Sequence, residues 1–147
     1  MESVMRKVWI SLVAVVVLLM TACSQGQGTK LNDIEVSFNG AQAVVPTGQK
    51  TLYTVELKDK DGKAIDVEKV YLYMNMNMMN HPTEGTMKRV NPGTYQLELP
   101  LAMAGEWYAH VTITEAGVER KVEGFTQQAD GDKHMELMKG YHADEQK

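Results

Sequence analysis

Methionine and histidine are concentrated in one short part of the chain. Four of the eleven methionines fall within six positions, in the run Met74-Asn-Met76-Asn-Met78-Met79-Asn-His81-Pro. Thioether sulfur is a soft, neutral donor and imidazole is borderline, so several methionines with one or two histidines select Cu(I) over harder ions. A run without carboxylates disfavours Ca²⁺ and Mg²⁺, which prefer oxygen ligands. The residue types therefore predict a copper site.

The first two methionines of this run have a second interpretation. On a strand, Met74 and Met76 would point the same way as Leu72, into a core. Methionine commonly fills irregular gaps in cores. On spacing alone, packing is therefore the favoured role for Met74 and Met76.

The rest of the run lies where the strand would pass into a loop. For Met79 and His81 a ligand role is favoured, because exposed methionine at the end of a strand has no packing reason to accumulate. Met78 belongs to the same loop, and Met87 follows a few positions later. Met103 could be either a ligand or a core residue.

The other histidines give weaker signals. His110 alternates with apolar neighbours and is expected at the solvated surface. Residues 128–147 are polar, and we expect them to form a mobile tail. His134, Met138 and His142 are four apart there and would share one face of a short helix, which could capture a metal. Such a helix without packing is marginal in water.

Strands are the elements that must hold these residues. From Leu31 onward apolar residues recur at every second position, the period of strands with one buried face, and turn-forming residues separate them. About seven short strands in roughly a hundred residues predict an all-β fold, a small antiparallel immunoglobulin-like sandwich over residues 31–127. Trp107 is expected to fill its core. The inward series are Ile34-Val36-Phe38, Tyr53-Val55-Leu57, Val70-Leu72-Met74-Met76, Tyr95-Leu97-Leu99 and Trp107-Ala109-Val111-Ile113.

The N-terminal residues have the order of a secretory signal. Arg6 and Lys7 precede an uncharged apolar run, and Met20-Thr-Ala-Cys23 resembles the bacterial lipoprotein pattern, with methionine where leucine is usual. We expect removal of residues 1–22 and acylation of Cys23, with diacylglyceryl and palmitate chains that hold the protein in the lipid bilayer of a bacterial cell membrane, on its extracytoplasmic face. Residues 23–30 would form a flexible tether. The alternative is a plain signal peptide or an uncleaved anchor.

Composition excludes other classes of function. Fifteen Lys+Arg against nineteen Asp+Glu give a net charge of −4, so no basic excess exists to bind nucleic acid. The single cysteine rules out an intramolecular disulfide and, once acylated, leaves no thiol nucleophile. The sequence has neither an HExxH zinc motif nor a GxSxG elbow. We therefore expect a protein that is not an enzyme.

Three segments together resemble the YtkA-like family and its relative FixH: the run from Met76 to His81, Gly93-Thr-Tyr95, and Met103-Ala-Gly105-Glu-Trp107. The resemblance covers roughly residues 31–126 and implies an immunoglobulin-like domain anchored outside a bacterial membrane, near copper handling and cytochrome oxidase assembly. The family pattern of Met, two residues, Met, a small residue and His falls on Met76, Met79, Asn80 and His81, with Asn80 where glycine is frequent.

Two hypotheses of function follow. The first is a lipid-tethered module that binds Cu(I) near Met76, Met79 and His81, with Met78, Met87 or Met103 as further ligands, and passes it to a membrane cuproprotein, such as an oxidase, or to a copper transporter. The second is an accessory domain of a membrane complex that offers an adaptable methionine-rich surface and binds no metal.

Overall fold

Two facing β-sheets make up the part of the chain that the computed structural model describes, residues 31–40 and 42–146. The predicted signal, Cys23 and the tether lie outside the described residues. The prediction of an all-β, immunoglobulin-like sandwich is confirmed. No helix in the described part is long and apolar enough to cross a membrane.

Ten strands are described, and they divide into a sheet of four and a sheet of six. The smaller sheet has the order β1-β3-β7-β6, and the larger has the order β10-β5-β4-β8-β9-β2. The strands are β1 Glu35–Gly40, β2 Val44–Pro46, β3 Thr51–Lys58, β4 Lys69–Asn75, β5 Thr83–Thr86, β6 Lys88–Asn91, β7 Thr94–Leu99, β8 Gly105–Glu115, β9 Val118–Asp130 and β10 Tyr141–His142. Short 3₁₀ turns span Leu31–Asp33, Met135–Leu137 and Ala143–Glu145.

The core lies between the sheets and follows the predicted alternation. On β8 every second side chain from Trp107 to Ile113 is fully buried, and on β3 the same holds from Tyr53 to Leu57. β4 supplies Leu72 and Met74, which are also fully buried. Trp107 therefore occupies the core position predicted for it, and Met74 has the packing role that its spacing favoured.

The predicted mobile tail is wrong. β9 continues to Asp130, and residues 131–146, here called the C-terminal strap, return along the domain so that β10 pairs in parallel with β5. Leu137, Met138 and Tyr141 are partly buried against the core. The sequence of this segment is polar because only a few of its side chains reach the core. Backbone hydrogen bonds hold the rest of the segment in place.

The strap also differs from the predicted helix. Its three-residue 3₁₀ turns do not place His134, Met138 and His142 on one face. The ring of His134 covers Gly48, whereas His142 lies on β10 beside the side chain of Tyr71. The shared metal-binding face predicted for these three residues is therefore absent from the strap.

Candidate metal site

The methionine run forms an exposed loop at the end of β4. β4 ends at Asn75, and the chain re-enters the sheet at Thr83, which pairs with Met74. Met78 is 91% exposed and Met79 is 45% exposed. Residues 76–82, here called the methionine loop, therefore present thioether sulfur to solvent at the strand end that the sequence predicted.

A single buried side chain fixes the shape of this loop. The Asn75 side-chain oxygen Oδ1 accepts hydrogen bonds from the backbone N–H groups of Met76, at 2.8 Å, and His81, at 2.9 Å. Its Nδ2 donates to Asn80 Oδ1 and to the Tyr73 hydroxyl, both at 2.9 Å. Asn75 is 4% exposed, so these bonds form away from water. They hold both ends of the loop in one conformation.

Asn75 is a residue that sequence reasoning missed. The available signal was an amide side chain at the end of an alternating strand, a position from which asparagine commonly bonds to nearby backbone groups. Its role here is structural, since it orders the loop that carries the candidate ligands.

The ring of His81 is held in one orientation and one tautomer. Nδ1 lies 2.7 Å from the backbone oxygen of Met138. Because a carbonyl oxygen can only accept, Nδ1 carries a proton, and in the neutral ring Nε2 then has a free lone pair. Nε2 is buried and has no hydrogen-bond partner among the described residues. A histidine that ligates a metal usually donates its other ring N–H to such a group, so His81 has the arrangement of a metal ligand.

Met76 reaches from the methionine loop towards the start of β8. A Cβ atom added to Gly105 would lie 2.8 Å from the Met76 methyl carbon. Met103 is two residues before Gly105, and its backbone oxygen accepts a hydrogen bond from Trp107 Nε1 at 3.1 Å. Met76 and Met103 are both partly buried against the core. The structure thus places these two methionines at the same end of the larger sheet.

Met87 belongs elsewhere, and its prediction as a further ligand is wrong. It is 4% exposed, and its backbone N–H donates to the oxygen of Val70 near the start of β4. The methionine loop begins at the other end of β4, and the rise per residue of a strand puts the two ends of β4 about 20 Å apart. Met87 is therefore a core residue.

His110 and His142 lie on the outer side of the larger sheet. His110 pairs across the sheet with Tyr73, and its ring centroid lies 4.9 Å from that of Tyr108. Burial lowers the pKa of His110, as does Lys121, while Glu123 raises it. His142 Nε2 lies 3.1 Å from the Tyr71 hydroxyl. His110 is thus half-buried among aromatic rings rather than fully solvated.

Carboxylates and imidazoles do not assemble into a metal site in the described part of the chain. No group of three or more His, Cys, Asp or Glu side chains there has the required geometry. That finding concerns these four residue types and does not extend to thioether sulfur. The candidate set consequently consists of His81 with the methionines at the same end of the sheet, namely Met76, Met78, Met79 and Met103.

The family is decided by a match to residues 28–114, more than half of the chain, with the model described as YtkA-like. The chain belongs to the YtkA-like family. The matched region of this YtkA-like protein includes the methionine loop, Met103 and Trp107, and it ends on β8 before β9 and the strap begin. No curated protein matches the chain significantly in sequence.

Solved structures resemble this YtkA-like protein at low identity. Escherichia coli alpha-2-macroglobulin in its native conformation gives a TM-score of 0.51 at 18% identity, over 74% of this chain and 7% of that one. The Lin-41 filamin domain gives 0.49 at 14% identity, over 66% and 91%. The soluble domain of PmoD from Methylocystis sp. ATCC 49242 gives 0.43 at 14% identity, over 65% and 90%. At such identities the likeness concerns the fold.

Proposed function

We propose that this YtkA-like protein is a lipid-anchored copper-binding protein of the bacterial cell envelope, without catalytic activity. In this proposal His81 Nε2 and the sulfur atoms of Met76 and Met79 bind Cu(I), and Met78 and Met103 are available as further ligands. The observation that carries the proposal is the state of the His81 ring, whose Nδ1–H is donated to a backbone carbonyl while Nε2 is buried without a partner in the described residues.

The chemistry of the donors supports Cu(I) in particular. Thioethers and a neutral imidazole carry no charge, which suits a soft monovalent ion better than a hard divalent one. Outside the cytoplasm, thioethers also serve as soft ligands that do not form disulfides. The exposure of Met78 and Met79 supports exchange of the ion with a partner, because both side chains are reachable from solvent.

The test is a titration of the full-length chain, purified in detergent, with Cu(I) in the presence of a competing chelator. Combined replacement Met76→Leu, Met79→Leu and His81→Gln is expected to weaken Cu(I) binding by more than the roughly tenfold that loss of a single outer-shell partner costs, because three direct ligands are removed. Met87→Leu is the matched control, because it also removes one thioether, but from the core. Equal affinity of the triple variant and the control would exclude this site.

The lipid anchor is tested separately by mass spectrometry of the N-terminal peptide. We expect residues 1–22 to be missing and Cys23 to carry acyl chains. Because Cys23 is the one cysteine of the sequence, any reaction of the protein with a maleimide would show that this thiol is free and not acylated. A labelled full-length chain would remove the anchor from the proposal and leave the copper site in place.

The exposed methionines also support a second candidate, an accessory domain that contacts a membrane complex without metal. Met78, at 91% exposure, has the flexible apolar side chain of an adaptable contact surface. This candidate predicts co-purification with a membrane partner that survives removal of copper by a chelator. The copper proposal, in which the partner is a membrane cuproprotein or a copper transporter, predicts contact that depends on the metal.

A further inference from the structure

The C-terminal strap runs between the two segments that carry the candidate ligands. Near its start, the backbone N–H of His134 donates to the oxygen of Ala102 at 2.8 Å, next to Met103. Further along, the backbone oxygen of Met138 accepts the hydrogen bond from His81 Nδ1 at 2.7 Å. One short stretch of the strap thus contacts both the segment before β8 and the methionine loop.

Several further contacts hold the strap in this place. The Tyr141 N–H donates to the oxygen of Pro82 at 2.8 Å, directly after His81. The Asp144 carboxylate accepts from the backbone N–H and the hydroxyl of Thr86 at 2.9 and 2.8 Å. Burial raises the pKa of Asp144, but the two bonds from Thr86, with smaller contributions from His142 and Lys69, outweigh it, so that the pKa is lowered overall. The strap is therefore bound on the far side of His81 as well.

We propose that the strap is part of the metal site and that Met138 is a positioning residue, whose backbone oxygen keeps His81 in the Nδ1–H tautomer. The metal part of this inference rests on the proposed function. A neutral imidazole carries one proton, and a proton on Nε2 would occupy the lone pair needed by a metal. The Met138 oxygen stabilises the tautomer in which Nε2 is free, and it does so before any metal arrives.

Coupling between the strap and the site follows from linkage. If a docked strap favours the form of His81 that binds Cu(I), bound Cu(I) favours the docked strap by the same free energy. Release of the strap would then weaken the site without the loss of any ligand. The family match ends before the strap, so a segment outside the matched region would regulate the affinity of the site for Cu(I).

The test uses Lys139→Pro in the full-length chain. Met138 has helical backbone angles, φ −66° and ψ −20°. A following proline disfavours that region and would rotate the Met138 carbonyl away from His81. Lys139→Ala is the matched control, because it removes the same exposed side chain and leaves ψ of Met138 free to stay helical.

Two measurements are made on each protein. The first is the imidazole ¹⁵N spectrum of the metal-free chain at a pH well above the usual histidine pKa of about 6.5. We expect His81 to carry its proton on Nδ1 in the wild type and in Lys139→Ala, and an Nε2–H population to appear in Lys139→Pro. The second is the Cu(I) titration, in which Lys139→Pro should bind about tenfold more weakly than Lys139→Ala.

The outcomes separate this inference from the proposed function. A wild-type His81 protonated on Nε2, or an unchanged tautomer in Lys139→Pro, overturns the positioning role whatever copper does. Absence of Cu(I) binding with an Nδ1–H tautomer that responds to Lys139→Pro overturns the proposed function and keeps the positioning role. If Lys139→Pro does not fold, the wild-type spectrum still decides the positioning role, because a proton on Nε2 contradicts donation from His81 Nδ1 to the Met138 oxygen.

Discussion

The indole Nε1 of Trp107 donates a hydrogen bond to the backbone oxygen of Met103 at 3.1 Å. Trp107 is fully buried, so this bond satisfies the polar atom of the largest side chain in the core. It also fixes the segment that leads into β8, whose first residue, Gly105, lies beside the Met76 methyl carbon. The packing of the core and the shape of the candidate site are therefore connected at one bond.

We expect Trp107→Phe to lower the free energy of unfolding by about 3 kcal/mol. The smaller ring leaves a cavity, and the oxygen of Met103 loses its donor. Urea denaturation followed by circular dichroism measures the change. Met103→Leu keeps the backbone oxygen and most of the volume, so its stability should stay within about 1 kcal/mol of wild type. An equal loss in the two variants would contradict the importance of this bond.

Asn75→Ala should loosen the methionine loop. The change removes the side-chain atoms that bind the N–H groups of Met76 and His81, and it leaves those groups buried or half-buried without partners. We expect a loss of about 2 kcal/mol or more in the free energy of unfolding, with faster hydrogen exchange at these two amides. Asn77→Ala, at an exposed position of the same loop, is the control and should alter neither. Slow exchange at both amides in Asn75→Ala would be the contrary result.

The alternation of apolar and polar residues along the strands makes the sandwich predictable from the sequence. The inward series on β3, β4 and β8 are predictable because each of these strands carries at least three apolar residues at every second position. β2, of three residues, and β10, of two, are too short for any period to appear. Their existence depends on pairing with β9 and β5, a long-range contact that no local pattern encodes.

The candidate site was predictable in part for the same reason. Residue type and spacing predicted Met79 and His81 as ligands at a strand end, and the structure places both on the methionine loop, with Met79 exposed and His81 half-buried. The same criterion included Met87, because sulfur chemistry cannot distinguish a loop methionine from one in the core. The partner of His81 is a backbone oxygen of Met138, and backbone groups carry no sequence signal.

Gly105→Ala should disturb Met76 beyond the ordinary cost of a left-handed residue. The added Cβ would lie 2.8 Å from the Met76 methyl carbon, and φ at Gly105 is +132°. Gly117→Ala is the control, since φ there is +76° and nothing lies within 4 Å of the added Cβ. We expect Gly105→Ala to destabilise the protein by about 1 kcal/mol or more beyond Gly117→Ala, mostly because φ of +132° lies outside the left-handed region that alanine can adopt, whereas the flexible methyl end of Met76 can move aside at a smaller cost. Adding Met76→Ala should recover part of the loss in a double-mutant cycle, and purely additive losses would count against the contact.

Stability should fall as the pH is lowered from about 7 to 5.5, with His110 as a cause. Burial lowers the pKa of His110 in the folded protein below its ordinary value, and the positive charge of Lys121 lowers it further. The unfolded chain then binds the proton more readily, so the His110 contribution is present above the unfolded pKa of about 6.5 and is lost as the pH falls. His110→Asn should flatten this part of the curve of unfolding free energy against pH. Glu123→Gln should steepen it, because Glu123 raises the pKa of His110. Parallel curves for the three proteins would show that His110 does not contribute.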